Sequence, residues 1–307
     1  MPGEAAPATA SEAAVLRAAI GGYKHTAALK SGQVASTKLR LEFANVSPVN
    51  RAFAPMVREG RFDACEMAIA TYFQAKAYGK PLVLLPVTVA ARFQESALLC
   101  RAADGAVRGP ADLAGRRVGV RAYSQTTGMW LRGILADDYG VRPEEVRWVT
   151  FEGAHVAEYR DPPWAERAPS GKELLPMLRA GELDAVIVGN DVPDDSHLRT
   201  VFPDPAAASE VFWRKHRLVP VNHMLTIRRQ LAESRPDLVA ELLRMFRDAK
   251  AAVPAAPGER DLLPMGRAAL QPVIDLALRY STEQGLLPRP LDTEEVWEGL
   301  PADAAAG

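Results

Sequence analysis

Apolar residues recur along the chain with two different spacings, and these predict alternating strands and helices. Leu39–Ala44 alternates apolar and polar residues, as a half-buried strand does, and Pro81–Val87 is apolar throughout, as a fully buried strand is. Between residues 127 and 135 the apolar positions lie three and four apart, which predicts a helix with one buried stripe. Strands that alternate with helices indicate an α/β architecture.

The predicted elements fall into two groups. Strands are predicted at residues 15–22, 39–44, 62–69, 81–87, 117–121, 146–151, 183–188 and 222–228, and helices at residues 50–59, from 125 onward, and at 172–179, 236–255 and 268–284. One group ends before residue 92 and the other runs from about residue 98 to 220, which predicts a bilobed body with two crossovers. The helices after residue 236 have no sheet of their own, so we expect them to cover the first lobe.

Domain boundaries follow from this grouping. Lobe I is predicted at residues 15–94 and 223–300, lobe II at residues 95–222, and loose, disordered ends at residues 1–14 and 301–307. In bilobed α/β proteins the ligand lies between the lobes, where strands end and helices begin. We therefore look for candidate chemistry at those junctions.

The composition excludes several classes of partner. The chain of 307 residues carries 37 basic and 38 acidic side chains, so we expect no nucleic acid and no membrane surface as a partner. We see no apolar run that could span a bilayer and no secretory signal, and we expect a cytoplasmic protein. The two cysteines, Cys65 and Cys100, lack the spacing of a redox or zinc motif and are predicted to be buried free thiols.

Two junctions carry polar side chains. The turn Tyr23-Lys24-His25-Thr26 follows the first strand, and its imidazole is either a cleft group that handles a proton or a structural histidine. Ser124-Gln125-Thr126-Thr127 opens the central helix, where unpaired amides and hydroxyls favour an anion. The alternative for these hydroxyls is ordinary helix capping.

The crossovers add further candidates. Glu95 lies between apolar segments and is either an acid with a raised pKa or the surface partner of Arg92. His223, at the second crossover, faces either the ligand or the core. Glu66 is flanked by apolar residues and is either a buried partner or a cleft acid.

Other chemistry has less support. His155, His197 and His216 lie in polar or proline-rich stretches and are predicted to be on surface loops. No histidine pair or Cys/His cluster has zinc spacing. A divalent metal bound by residues that lie far apart in the sequence remains an alternative. These ligands would be His25, Glu66, Glu95 and His223. The sequence contains no G-x-S-x-G, P-loop or G-x-G-x-x-G motif.

A set of blocks, in order over roughly residues 15–300, carries a family resemblance. They are Gly22-Tyr23-Lys24-His25-Thr26, Phe62-Asp63 with Glu66-Met67 and Tyr72, Phe93 with Ser96, Tyr123-Ser124-Gln125-Thr126 with Trp130-Leu131-Arg132-Gly133-Ile134-Leu135, Gly181-Glu182-Leu183-Asp184-Ala185, Val201-Phe202-Pro203-Asp204, His223 with Ile227-Arg228-Arg229, and Tyr280-Ser281. In these blocks the chain resembles the 4,5-dihydroxyphthalate decarboxylase family. The resemblance implies a type 2 periplasmic-binding-protein-like fold. It also implies cofactor-independent decarboxylation of a hydroxylated aromatic carboxylate between the lobes.

The chain departs from the family pattern at the first crossover. The family usually has an Arg-His pair where this chain has Gln94-Glu95, and an acidic residue is common where Lys24 stands. The exchange removes a clamp for carboxylates and adds a negative charge. The identity of the substrate is therefore left open.

The expected site combines the resemblance with the junctions. We expect His25, or His223 with Glu95, to protonate the ring, and no cofactor. Residues expected to bind substrate are Tyr23, Lys24, Thr26, Glu66, Arg92, Phe93, Ser96, Tyr123, Ser124, Gln125, Thr126, Thr127, Trp130 and Asn190. The expected partner is a small aromatic or organic carboxylate, with a homo-oligomer left open. The alternative function is a non-catalytic solute-binding protein of the ABC-transporter type for a small organic anion.

Overall fold

Two mixed β-sheets, each flanked by helices, form the two lobes of the protein. The computed structural model describes residues 13–189, 192–253 and 258–302. The predicted bilobed α/β fold is confirmed. The predicted loose ends lie largely outside the described residues, except that the first strand already begins at Ala14 and residues 301 and 302 are described.

The strands mostly begin and end within a few residues of their predicted bounds. They are β1 (Ala14–Ala19), β2 (Leu39–Phe43), β3 (Ala64–Ala68), β4 (Leu82–Ala91), β5 (Leu98–Arg101), β6 (Arg117–Val120), β7 (Arg147–Thr150), β8 (Ala165–Arg167), β9 (Ala185–Ile187), β10 (Leu198–Thr200) and β11 (Val221–Arg228). The pattern did not predict β5, β8 or β10, each of which has three or four residues.

The helices include one long element that the pattern missed, α6. They are α1 (Ala27–Lys30), α2 (Phe53–Glu59), α3 (Ile69–Ala77), α4 (Thr126–Tyr139), α5 (Leu174–Arg179), α6 (Pro205–His216), α7 (Arg229–Ser234), α8 (Pro236–Ala251), α9 (Arg267–Glu283) and α10 (Thr293–Trp297). Asp204 caps α6 by accepting a hydrogen bond from the Ala207 amide. Among the described residues, no helix has the length and apolar character that a bilayer span requires.

The order of the strands explains how the chain joins the lobes. The first sheet has the order β2-β1-β3-β11-β4, with β11 antiparallel to both of its neighbours. The second sheet has the order β10-β5-β9-β6-β7-β8, in which β5 is antiparallel to β9 and β10. Because β11 follows the whole second sheet in sequence, the chain crosses between the lobes twice. The Arg92 amide donates to the Pro220 carbonyl at 3.1 Å and holds the two crossovers side by side.

A continuous hydrophobic core extends from the first sheet into the second. Its buried members include Tyr72 on α3, Trp130 on α4 and Tyr280 on α9. A second cluster fills the opposite face of the first sheet beneath α8. Of the C-terminal helices, α9 packs against α3 of the first lobe and also against α4 of the second lobe. The missing side chain of Gly133 allows this contact, since a Cβ there would lie 2.2 Å from the Tyr280 ring.

Candidate functional site

A cavity of about 1410 Å³ lies between the two sheets. The end of β4, the start of β11 and the start of α4 meet at this cavity. Eight of the predicted site residues line it, namely Tyr23, His25, Arg92, Ser124, Gln125, Thr126, Thr127 and His223. The junctions chosen from the sequence therefore do meet at one cavity.

Glu66 on β3 lies behind this wall as a buried carboxylate with three donors. Its Oε2 accepts the Gly21 amide at 2.8 Å, and its Oε1 accepts the Tyr23 hydroxyl at 2.6 Å. His223 Nδ1 lies 2.6 Å from the same Oε1. The antiparallel register pairs His223 with Ala68 and Leu225 with Glu66, so Glu66 and His223 are diagonal neighbours on one face.

These donors keep the Glu66 carboxylate charged. Burial by itself would raise the pKa of Glu66, but the hydrogen bond and charge of His223 and the bonds from Tyr23 and Gly21 together lower it. A charged carboxylate orients the His223 ring with Nδ1 toward the protein, which leaves Nε2 for a ligand in the cavity. The partner of His223 is thus Glu66, not Glu95 as expected from the sequence.

His25 has the opposite arrangement of nitrogens. Its Nε2 lies 3.0 Å from the Val89 carbonyl, which can only accept, so Nε2 carries the hydrogen and Nδ1 is an acceptor. Burial lowers the pKa of His25 and favours the neutral ring. The ring stacks on Tyr23 with centroids 5.3 Å apart. His25 is therefore arranged to accept a hydrogen bond from a ligand, whereas the sequence suggested a proton donor.

Arg92 supplies a positive charge to the cavity, and no acidic side chain among the described residues pairs with it. One guanidinium nitrogen, Nη2, donates to the Gly189 carbonyl at 3.0 Å and lies 3.4 Å from Thr127 Oγ1, while Nε is buried without a partner in the described chain. The predicted alternative of a surface pair with Glu95 is wrong, because Glu95 bonds to Ser209 instead.

The other cations at the cavity differ from Arg92. Arg121 pairs with Glu152 at 2.7 Å, Lys172 with Glu182 at 2.7 Å and Arg179 with Asp195 at 2.8 Å. Arg51 is exposed and donates to the Ser47 carbonyl. Among the described residues, Arg92 is thus the partly buried cation most available to an anionic ligand.

The start of α4 adds neutral donors beside Arg92. Gln125 is the residue before the first turn, and its Oε1 is buried without a partner among the described side chains. Thr126 Oγ1 accepts the Ala70 amide at 3.3 Å and so contacts the first lobe. The first amides of an α-helix lack partners within the helix and carry partial positive charge. An anion at this point would meet Arg92, the helix start and two hydroxyls, Ser124 and Thr127.

Other predicted site residues lie outside the cavity wall. Thr26 is fully buried behind it and shapes the turn by donating to the Gly21 carbonyl at 3.0 Å. Lys24 and Ser96 are exposed and do not line the cavity. Asn190 lies outside the described residues.

Two candidates from the first crossover point into the protein because each finds a partner there. Glu95 is buried against α6, where Ser209 Oγ donates to it at 2.8 Å and burial raises its pKa. Phe93 packs on Phe212 of α6, with ring centroids 6.4 Å apart. The expectation that these residues line the cavity is wrong.

Two aromatic candidates on the second lobe are likewise core residues. Trp130 is fully buried, and its indole nitrogen donates to the Val221 carbonyl at 2.8 Å. Tyr123 is fully buried beside the guanidinium of Arg132, 3.9 Å from the ring centroid. An indole N–H and a phenol require partners when buried, and both find them in the core.

The Gln94-Glu95 departure also lies outside the cavity. Gln94 pairs with Asn222 across the crossovers, through Nε2 to Oδ1 at 2.8 Å and a longer return bond of 3.4 Å. Asn222 lines the cavity, but Gln94 and Glu95 do not. A carboxylate clamp, if present in this chain, therefore depends on Arg92.

His155 is the residue that sequence reasoning missed. The polar loop around it was predicted to be on the surface, yet His155 lines the cavity. Its Nδ1 lies 2.8 Å from Thr71 Oγ1, and its ring meets Phe53 edge-on. The signal that buries it is the contact with Arg58, 97 residues earlier in the chain, which no local pattern reveals.

Among the side chains that the structure describes, none form a metal site of ordinary composition. Of the dispersed ligands considered above, Glu66 and His223 bond to each other, and Glu95 lies against α6. Within the residues that the structure describes, no group of three His, Cys, Asp or Glu side chains is placed to hold an ion.

Comparison with known proteins decides the family. A 4,5-dihydroxyphthalate decarboxylase of Comamonas testosteroni is 31% identical over 255 residues, which cover 77% of this chain and 74% of that protein. A second protein of that name, from Pseudomonas putida, is 29% identical over 212 residues, covering 65% of this chain and 81% of that protein. The chain belongs to the 4,5-dihydroxyphthalate decarboxylase family. No family model matches it.

The fold of this family member is also that of solute-binding proteins. The periplasmic aliphatic sulphonate binding protein of Escherichia coli superposes with a TM-score of 0.61, covering 94% of this chain and 98% of that one. Sequence identity over this match is 14%, so the likeness concerns the fold alone. In this chain, the cavity lies between the two sheets that define this fold.

Proposed function

We propose that the protein decarboxylates a hydroxylated aromatic acid bound in the cavity, and that its own side chains supply the proton. The observation that carries the proposal is the hydrogen-bonded pair of His223 with the buried Glu66, because His223 lines the same cavity as Arg92, which has no acidic partner among the described residues. The names of the two relatives support the reaction class.

Arg92 and the start of α4 hold an acid group that the substrate retains. A carboxylate that binds a guanidinium and helix amides is strongly stabilised as an anion. If that group were the one to leave, these contacts would stabilise the ground state and raise the barrier. The arrangement therefore suits an aromatic diacid, with one carboxylate anchored and the other leaving from a less polar part of the cavity.

His223 delivers the proton that replaces the leaving carboxylate. Its Nε2 hydrogen moves to the ring carbon, the bond from that carbon to the carboxylate breaks, and the bonding electrons return to the ring as carbon dioxide leaves. Glu66 accepts the hydrogen bond from Nδ1 and so orients the ring for the transfer, and solvent later restores the proton. His25, through Nδ1, accepts a hydrogen bond from the bound substrate.

A solute-binding function is the second candidate, and the fold it shares with the sulphonate binding protein favours it. Such proteins close around their ligand by a hinge motion. Here the loop after β7 is bonded to the first lobe, since Arg58 donates to the Ala154 and His155 carbonyls at 2.9 and 2.8 Å. Lys80 also contacts Glu158 at 2.5 Å. Lobes joined in this way support an enzyme with a fixed cleft.

Carbon dioxide release tests the reaction. Purified protein is incubated with 4,5-dihydroxyphthalate and with a panel of hydroxybenzoates, and carbon dioxide and products are measured. We expect release from the diacid, reduced about 10²–10⁴-fold in His223→Asn, the usual contribution of a general acid. His197→Asn, at an exposed histidine away from the cavity, is the matched control. Ligand binding with no release from any acid would favour the solute-binding candidate.

Arg92→Met tests the anchor. Binding of 3,4-dihydroxybenzoate, the product of removing one carboxylate from 4,5-dihydroxyphthalate, is measured by calorimetry. We expect affinity to fall roughly 10- to 150-fold, as for the loss of charged hydrogen bonds. Arg179→Met is the control, because Arg179 also lines the cavity but pairs with Asp195. Equal losses in both variants would argue against a specific role for Arg92.

A further inference from the structure

His155 is a cavity residue to which the proposed reaction assigns no role. It comes from the loop after β7 on the second lobe, and it is fixed from three directions. Thr71 Oγ1 lies 2.8 Å from Nδ1, the Phe53 ring meets the imidazole at 88°, and Arg58 holds the backbone carbonyl at 2.8 Å. A side chain held so firmly presents its remaining nitrogen, Nε2, in a defined direction.

The surroundings keep this ring uncharged. Burial lowers the pKa of His155 to about 4, and the nearby charges of Arg121, Arg58 and His223 act in the same direction. At neutral pH the ring offers one hydrogen bond through Nε2 and no net charge. A neutral imidazole exchanges a hydrogen bond with a hydroxyl, whereas a carboxylate prefers the charged donors at Arg92.

Phe53 contacts both His155 and His223, the proposed proton donor. The Phe53 ring lies edge-on to His155 and to His223, with centroid distances of 5.5 and 5.2 Å. The two imidazoles therefore flank one aromatic side chain at the cavity wall. A substrate ring packed there would meet His223 at one carbon and His155 at a substituent of another.

We propose that His155 recognises a hydroxyl group of the bound aromatic acid and so selects hydroxylated substrates. This rests on the proposed function, because it assigns the ligand a place beside His223. The specificity follows from complementary chemistry: an acid that lacks the hydroxyl leaves Nε2 without a partner once the ligand has displaced water. Thr71 is a positioning residue in this scheme, because it acts through the ring of His155.

Binding of two acids that differ only in their hydroxyl groups tests the proposal. The dissociation constants of 3,4-dihydroxybenzoate and benzoate are measured by calorimetry for wild type, His155→Phe, His155→Gln and Thr71→Val. We expect wild type to prefer the dihydroxy acid. We expect His155→Phe to weaken the dihydroxy acid roughly five- to tenfold and to leave benzoate unchanged. His155→Gln, which keeps a hydrogen-bonding group, should retain part of the preference, and His197→Phe is the control.

The possible results separate this proposal from the reaction. If His155→Phe weakens both acids equally, or if the preference survives in it, His155 does not read the hydroxyl. An equal affinity of wild type for both acids overturns the proposal as well. If wild type releases no carbon dioxide from 4,5-dihydroxyphthalate but shows a preference that His155→Phe abolishes, hydroxyl recognition stands and the proposed reaction fails.

Discussion

Glu66 shows how one buried side chain can organise several others. It is fully buried, and its two oxygens receive an amide, a phenol and an imidazole from β1's turn and from β11. An unpaired buried carboxylate costs several kcal/mol, so these three donors are needed for the charge to persist. In return the carboxylate orients Tyr23 and His223, which both line the cavity.

The protonation of Glu66 links stability to pH. Because its folded pKa lies below the ordinary value of 4.5, Glu66 contributes stability above that pH and loses it as the pH falls through the folded value. We expect Glu66→Gln to be less stable than wild type at pH 7, by about 1–3 kcal/mol for the lost charged hydrogen bonds. This difference should shrink below about pH 4.5. Urea unfolding of both proteins between pH 7 and 3 measures it.

The control for this series is Glu42→Gln, at an exposed position of β2. Its difference from wild type should stay small throughout. A difference for Glu66→Gln that grows on acidification would contradict the lowered pKa of Glu66.

At single residues the sequence predicted contacts well when both partners lay at strand ends. His25, Arg92 and His223 meet at the cavity because the ends of β1, β4 and the start of β11 share one edge of the sheet. The predicted positions of Glu95 and His155 were wrong, because neither residue is positioned by strand ends alone. Their burial depends on α6 and on Arg58, which are distant in sequence and leave no trace in the local pattern.

At the scale of elements, α4 serves both the cavity and the core. Its first turn carries Thr126 and Thr127 at the cavity, while Trp130 and Arg132 further along are fully buried. Gly133 then admits the ring of Tyr280 from α9. The periodicity of the sequence predicted this helix correctly, but it could not show that the buried stripe faces a helix from the other end of the chain.

The close approach of α4 and α9 makes Gly133 sensitive to substitution. A Cβ would lie 2.2 Å from the Tyr280 ring, which is fully buried and cannot move aside easily. We expect Gly133→Ala to lower the free energy of unfolding by about 1–3 kcal/mol, as overpacking does in cores. Gly105→Ala, where nothing lies within 4 Å of the new Cβ, is the control. Thermal and urea unfolding compare the variants, and unchanged stability of Gly133→Ala would refute the contact.

At the scale of the whole molecule, hydrogen bonds and an ion pair join the two lobes at several places. The loop after β7 is held by Arg58 and Lys80, and Arg132 of α4 donates to Gln284 just after α9 at 2.8 Å. Gln94 and Asn222 pair at the crossovers. These contacts join parts of the chain that the pattern of strands and helices assigns to different lobes, so the sequence predicted the two lobes but not their attachment.

A cleft held in this way should not close further on its ligand. We expect the radius of gyration from small-angle X-ray scattering to be the same with and without saturating 3,4-dihydroxybenzoate. In Arg58→Met/Thr71→Val, which removes bonds between the loop and the first lobe, the unliganded radius should increase. A wild-type radius that shrinks on ligand binding would contradict the fixed cleft and favour a hinge-closing binding protein.

The late position of β11 and α9 in the chain also governs how the protein can be made. β11 fills the place between β3 and β4, and α9 covers α4, yet both are synthesised after the whole second sheet. Until β11 has been synthesised, β3 and β4 each have an unpaired edge. Until α9 has been synthesised, the apolar stripe of α4 is exposed. Each lobe is therefore complete only after these elements have been synthesised. We expect a nascent chain of this protein to be prone to aggregation until α9 has emerged from the ribosome.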